Sequence, residues 1–367
     1  MSITTLRVLL FSITCILFFE GFNLYQKKEK SIILLDEKMA FTPHEFYIDN
    51  VVDERNDRSS VAALITNNTT HTSAIEKADL QGGAATAIKQ FVNHNLARNT
   101  TLSPVIITLK EFKLTESTLP GGRVNGHLLV VFSFELQLKY ITVHLMDYSG
   151  GIRYDRSDKQ PDAAEPALRR GIEEALLAFN TWMDQQADSN ALLAKVVKVH
   201  FTDYTEKQEG DTIYYAINRP LKWSDFQDKP RASRFEAEIF TSIGYTEQMA
   251  VVKGVIDINI ALKVDLPKSD CWIKGDSHDD YILNHEQRHF DIEKLVAEHF
   301  KEKISGMTLP VENYDGPINV EYLETLREAT RMQKQYDAET HHGMDRQAQE
   351  QWNDRIDKEL KAYGVKK

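Results

Sequence analysis

Cysteine is almost absent. The 367-residue chain holds two, Cys15 and Cys271, which excludes a disulfide scaffold and any metal site made of four thiolates. A basic excess is missing as well. With 44 Lys+Arg against 55 Asp+Glu the net charge is −11 at pH 7, so no positive field draws in phosphates and no nucleic-acid partner is expected. Glycine (17) and proline (10) are sparse, and there is neither a low-complexity tract nor an internal repeat. Hydrophobic content of 42% and charged content of 27% are those of a folded chain, long enough for two ordinary domains.

A long hydrophobic run is lacking too. Val8 to Phe19 is apolar apart from Ser12 and Thr14, and Gln26-Lys-Lys-Glu-Lys30 follows. Roughly twelve to fifteen apolar residues fall short of the ~20 that span a bilayer. They match the hydrophobic region of a secretory signal peptide or a short uncleaved anchor. Residues 1–30 are therefore expected to export the protein to the periplasm, envelope or exterior of a Gram-negative bacterium, with membrane attachment through this segment if it is not cleaved. Cleavage would leave Cys271 alone.

From Ser31 to about residue 190 the pattern predicts an α+β domain. Ser31–Leu35 and His44–Ile48 read as strands, and Leu128 to Leu138 keeps period two on one face. Tyr148-Ser-Gly-Gly151 reads as a turn. Helices are expected over Ala84–Leu96 and Asp162–Asp184. Asn67-Asn-Thr-Thr-His71 reads as a loop, and Asp53 with Arg55 as a surface ion pair. The second half, 195–367, opens with a strand at Val196–Phe201. Ile256, Ile258, Ile260, Leu262, Val264 and Leu266 then alternate strictly with more polar residues, which predicts a half-exposed antiparallel strand near a sheet edge. From Asp279 to Ile304, and from Val320 to about Leu360, the period is helical.

Chemistry gathers in that half. Six of the twelve histidines fall between His278 and His342. His285-Glu-Gln-Arg-His289 is the HExxH pattern, in which two histidines four apart share a helix face and can reach one tetrahedral Zn2+. Glu286 then points to where a Zn-bound water would sit, and can take its proton and pass it to a leaving amine. Ser277-His-Asp-Asp280 supplies a helix cap. A strand followed by this helix is the order found in zinc peptidases, whose substrates pair with a sheet edge. A third ligand must come from elsewhere. Position 295 is leucine, and His299 lies about 15 Å along the helix. The cluster Tyr336-Asp-Ala-Glu-Thr-His-His-Gly343 offers Asp337, Glu339, His341 and His342; a polar helix end stopped by Gly343 is the plainer reading of it.

These residues carry a resemblance. His285-Glu-Gln-Arg-His-Phe-Asp-Ile292 resembles the core of the bacterial "domain of unknown function 922" family, described as secreted zinc-dependent proteases. Leu221-Lys-Trp-Ser-Asp-Phe226, Cys271-Trp-Ile-Lys274, the Tyr336–Gly343 stretch and the following Gln351-Trp352 agree with it in order, from roughly Lys195 to Leu360. The resemblance implies His285 and His289 as metal ligands and Glu286 as catalytic base. It makes His342 the first choice of third ligand, with Asp337 and Glu339 next. Tyr336 could donate to the tetrahedral oxyanion or be a packed aromatic. Trp223 and Trp272 read as core.

The fold expected is α+β throughout: a sheet-plus-two-helices domain, then a zincin-like metallopeptidase domain of antiparallel strands, the HExxH helix and a long C-terminal helix. The function expected is hydrolysis of a peptide or protein substrate by an exported zinc peptidase. The alternative is a non-catalytic envelope protein that binds zinc or a partner.

Overall fold

The structure is a computed structural model that describes residues 30–67, 73–157, 159, 163–275 and 278–366. Residues 1–29 of the segment expected to direct export, and most of the Asn67–His71 stretch, lie outside the described residues. The architecture is α+β, with five α-helices among the described residues. The chain falls into two compact units that meet in sequence between Ala178 and Phe179, the second also taking Pro43–Phe46 and Thr101–Ser103.

The first unit is built on a seven-stranded sheet of β1 (Lys30–Ile32), β2 (Phe46–Asp53), β3 (Ala62–Asn67), β4 (Ser73–Leu80), β5 (Ser103–Leu119), β6 (Arg123–Gln137) and β7 (Thr142–Ser157). Its order is β1-β4-β3-β5-β6-β7, with β2 also on β5. The alternation along β6 buries Val124, Leu128, Val130, Phe132, Phe134 and Leu136. Helices α1 (Ala84–Asn95) and α2 (Ala164–Gln186) bury Ile88, Phe91, Leu168 and Ile172. Gly171 lets α2 approach the sheet, since a Cβ there would lie 2.6 Å from a Leu128 methyl and 3.0 Å from Val130.

Two readings of this unit change. Tyr148-Ser-Gly-Gly151 is no turn but the middle of β7, where Gly150 and Gly151 pair with Val130 and Leu129. A Cβ on Gly151 would sit 2.4 Å from the Leu128 carbonyl, so the glycines serve close approach rather than chain reversal. Asp53 and Arg55 do pair, at 2.7 Å, but Arg55 is buried, at 3% exposure. Its Nη1 also donates to the Ser60 and Phe112 carbonyls, which leaves no surface pair.

In the second unit β11 (Ser242–Val252), β12 (Val255–Pro267) and β8 (Val196–Asp203) form a sheet in that order, with β9 (Thr212–Tyr214) also on β12. The alternating strand β12 is thus flanked on both sides, one strand in from either edge. It is antiparallel to β11 but parallel to β8, so the sheet is mixed and not antiparallel as expected. Its Ile256, Ile258, Ile260, Leu262, Val264 and Leu266 stripe joins Phe290, Ile292, Leu295, Val296 and Phe300 of α3 (Asp280–Ser305) in one core. A separate ribbon pairs β10 (Ala237–Glu238) with β13 (Trp272–Ile273), and there Trp272 is fully buried. The expected long C-terminal helix is two, α4 (Asp315–Thr340) and α5 (Arg346–Ala362). Between them His341, His342 and Gly343 have φ of 50°, 55° and 78°. Such left-handed backbone ends a helix, and Asp345 restarts it by accepting from the Gln347 and Ala348 amides, each at 3.0 Å.

Candidate metal centre

Helix α3 starts at Asp279, whose carboxylate accepts from the Tyr281 amide at 2.8 Å; the expected cap begins at Ser277, outside the described residues. With the apolar stripe of α3 committed to β12, the face carrying positions 285 and 289 is left for chemistry. The imidazoles of His285 and His289 stand 4.9 Å apart, at right angles. Asp337, in the last turn of α4, brings its Oδ1 to 3.5 Å from His285 Nε2 and 3.1 Å from His289 Nε2. Donor atoms of these three residues lie within 4.8 Å of one another. Ligands of one tetrahedral Zn2+ at ~2.0–2.2 Å stand roughly 3.3 Å apart, so the spacing fits such an ion.

The chemistry of the three groups fits as well. Asp337 Oδ1 is buried and is faced by both imidazole nitrogens. Each histidine is held by its other nitrogen. His285 Nδ1 is 2.9 Å from Gln349 Oε1, and His289 Nδ1 is 2.5 Å from Gln333 Oε1. Two ring nitrogens and a buried carboxylate oxygen therefore converge, as ligands of a cation do.

Electrostatics follow the packing. Burial alone would raise the Asp337 carboxyl, but His285 and His289 outweigh it and hold it well below the usual range. Burial of His289 opposes its charge; Asp337, Glu286 and Gln333 more than offset that and push it up to about 9 in the metal-free protein. Glu286 is 4% exposed, and burial lifts its pKa although both histidines pull the other way. Its side chain lines a cavity of about 980 Å³ together with His289, Glu293, Phe235 and Ala237.

Asp337, which the sequence ranks after His342, is the residue that forms the compact group with the two histidines. His342 lies beyond the end of α4, its Nδ1 3.4 Å from the same Asp337 oxygen and its ring 4.2 Å from Phe235, outside the compact group. Glu339 is corrected outright. Two residues past Asp337 it is turned about 200° round the helix, and it accepts from Trp352 Nε1 and Gln335 Nε2, both at 2.8 Å. Tyr336 is the packed aromatic. It is fully buried and stacks on His285 with centroids 4.8 Å apart. Its hydroxyl donates to the His285 carbonyl at 3.2 Å and accepts from Gln349 Nε2 at 2.6 Å, so none of it is free for an oxyanion. His299 pairs with Glu328 at 2.6 Å, away from the centre.

The sequence reading missed the groups that hold this centre. Gln287, inside the HExxH motif, accepts from the Leu221 amide at 2.8 Å, which anchors the Leu221–Phe226 motif to α3. Arg288 donates to Asp291 at 2.8 Å and to Asp357 at 2.5 Å, and Tyr215 donates to Asp291 at 2.9 Å. The motif glutamine and arginine thus serve architecture. The available signal was Gln333, four residues before Asp337 and so on the same helix face.

Comparison with protein families places residues 213–343 in a family described as "Bacterial protein of unknown function (DUF922)". The C-terminal part of the chain thus carries a region of that bacterial family. Two solved structures are similar over 42% of this chain and 98% of their own. One is an uncharacterized protein at 8% identity and a TM-score of 0.23. The other is a Xanthomonas campestris protein of the family DUF330, at 10% identity and a TM-score of 0.27. At such TM-scores neither likeness informs the fold or the site. A comparison with curated proteins gives no match. No helix among the described residues is long and apolar enough to cross a membrane.

Proposed function

We propose that the second unit is a zinc-dependent peptidase of zincin-like architecture, exported by the segment at residues 1–30, with His285, His289 and Asp337 as ligands. The observation that carries this reading is the convergence of two imidazole nitrogens on one buried carboxylate oxygen, beside the glutamate that follows the first histidine. Zinc bound there would supply a Lewis acid for the scissile carbonyl and acidify the attacking water.

The chain's own groups do the rest. Glu286 faces the cavity from the same helix turn, and its raised pKa suits a base that takes a proton from water and gives it to the leaving nitrogen. The short ribbon strand β10 lines that cavity and among the described residues has one neighbouring strand, β13. It takes over the substrate-pairing role first expected of β12, by adding an extended peptide to a sheet edge. Asp337, Glu293 and Glu238 line the same space, and apolar Phe235, Ala237 and Ile239 offer contacts for substrate side chains.

The test begins with metal content. Purified protein is expected to hold one zinc, and His289→Ala to lose it; a wild type that takes up none after reconstitution sinks the reading. Glu286→Gln is expected to keep the zinc and to lower cleavage of a casein-type substrate by about 10²–10⁴-fold. A zinc-loaded wild type without hydrolytic activity would leave the non-catalytic zinc-binding protein in its place.

A further inference from the structure

Neither glutamine that holds a histidine belongs to the recognised motifs, and one lies outside the family-matched residues 213–343. Their amide orientations follow from groups with no choice of role. Arg288 is always a donor, and its Nε donates to Asn353 Oδ1 at 2.9 Å. That oxygen also accepts from Gln349 Nε2 at 3.0 Å. Gln349 therefore turns its oxygen to His285 Nδ1, which must carry the hydrogen. On the other side a backbone carbonyl is always an acceptor. Gln333 Nε2 donates to the His289 carbonyl at 2.8 Å, so its oxygen faces His289 Nδ1, which must likewise carry a hydrogen. Both rings then present Nε2 to the place where Asp337 Oδ1 lies.

We infer that Gln333 and Gln349 are positioning residues of the metal centre, and that helix α5 is part of the functional site although the family-matched stretch ends before it. This inference rests on the metal reading above. Both supports are neutral amides, so they orient the histidines without adding negative charge. Gln349 is fully buried, and its four-residue spacing to Asn353 places both on the face of α5 that meets α3.

The experiment measures zinc affinity of the full chain by competition with a chromophoric chelator, with thermal melting of the metal-free protein alongside. Gln333→Leu and Gln349→Leu are each expected to weaken zinc binding by about 10–100-fold. Gln333→Glu and Gln349→Glu restore an acceptor at Nδ1, and are expected to regain most of that affinity. A purely structural role would move melting without this Leu–Glu contrast. Should the buried Gln349→Leu fail to fold, the half-buried Gln333 pair decides the matter. Leucine variants that bind zinc as tightly as the wild type, or glutamate variants no better than leucine, overturn the inference. A wild type that binds no zinc overturns the metal reading instead.

Discussion

Asp337 and Glu339 are chemically alike and two residues apart, yet helix geometry turns one into the centre and the other towards Trp352. Asp337→Ala is expected to lose more zinc affinity than the ~10–100-fold typical of losing a supporting partner. Glu339→Ala is expected to bind zinc normally and to cost about 1–3 kcal/mol in chemical denaturation, because it leaves the Trp352 indole N–H without its acceptor. Equal zinc affinity in the two variants would remove Asp337 as a ligand. HExxH was legible because its spacing alone puts two rings on one helix face. The choice among Asp337, Glu339 and His342 was not, because it depends on where α4 stops. Buried charge pairs were equally hidden. In the first unit Glu116 takes Arg156 at 2.5 Å, with side-chain exposures of 1% and 4%. Burial would raise the Glu116 pKa, but the bonds from Arg156, Tyr154 and the Ile65 amide outweigh it and lower it from 4.5. A carboxyl lowered on folding stabilises above its unfolded pKa and loses that contribution as pH falls through the folded one. Unfolding free energy is therefore expected to drop below about pH 4.5. Glu116→Gln should flatten this acid limb while costing about 3–5 kcal/mol at neutral pH, since Arg156 is left uncompensated. An acid limb unchanged in Glu116→Gln would assign it to other carboxyls.

At the scale of elements, periodicity named the strand and helix types and missed their neighbours. The alternation of β12 says that one face is buried and the other is not; it says nothing of the two edges, which pairing with β11 and β8 covers. Gly150 and Gly151 looked like a turn because glycine serves reversal and close approach alike. Helical period ran unbroken towards Leu360, and only backbone conformation reveals the stop at His341–Gly343. That stop bears on the centre. Gly343 has φ of 78°, and a Cβ on it would lie 3.3 Å from His285 Cγ and Nδ1. The Gly343 carbonyl also accepts from the Tyr281 hydroxyl at 2.7 Å, which ties the turn to the start of α3. Gly343→Ala is expected to cost about 1–3 kcal/mol of stability through left-handed strain. It should also weaken zinc binding by crowding His285 against Gln349. Unaltered zinc affinity in a folded Gly343→Ala protein would separate the turn from the metal centre.

For the molecule as a whole, ligand linkage distinguishes the two units. A metal that binds only the folded state stabilises it by RT ln(1 + [L]/Kd), or about 4 kcal/mol at a thousandfold excess over Kd. The three proposed ligands and the two glutamines that support them lie on α3, α4 or α5, within the Phe179–Lys367 part of the second unit. Zinc that ties α3 to α4 would resist the opening of these helices, so it is expected to protect their amides most, including α5 amides beyond the family-matched region. Amides of β5, β6 and β7 open through the other core, around Phe112, Phe132 and Phe134, and are expected to exchange at the same rate with and without the metal. Mass-resolved exchange of the full chain reads both at once. Protection confined to α3 and α4 would show that α5 opens independently of the centre. Protection shared equally by the β5–β7 hairpins would mean that the two units unfold as one, and that the sequence boundary at Ala178 has no energetic counterpart.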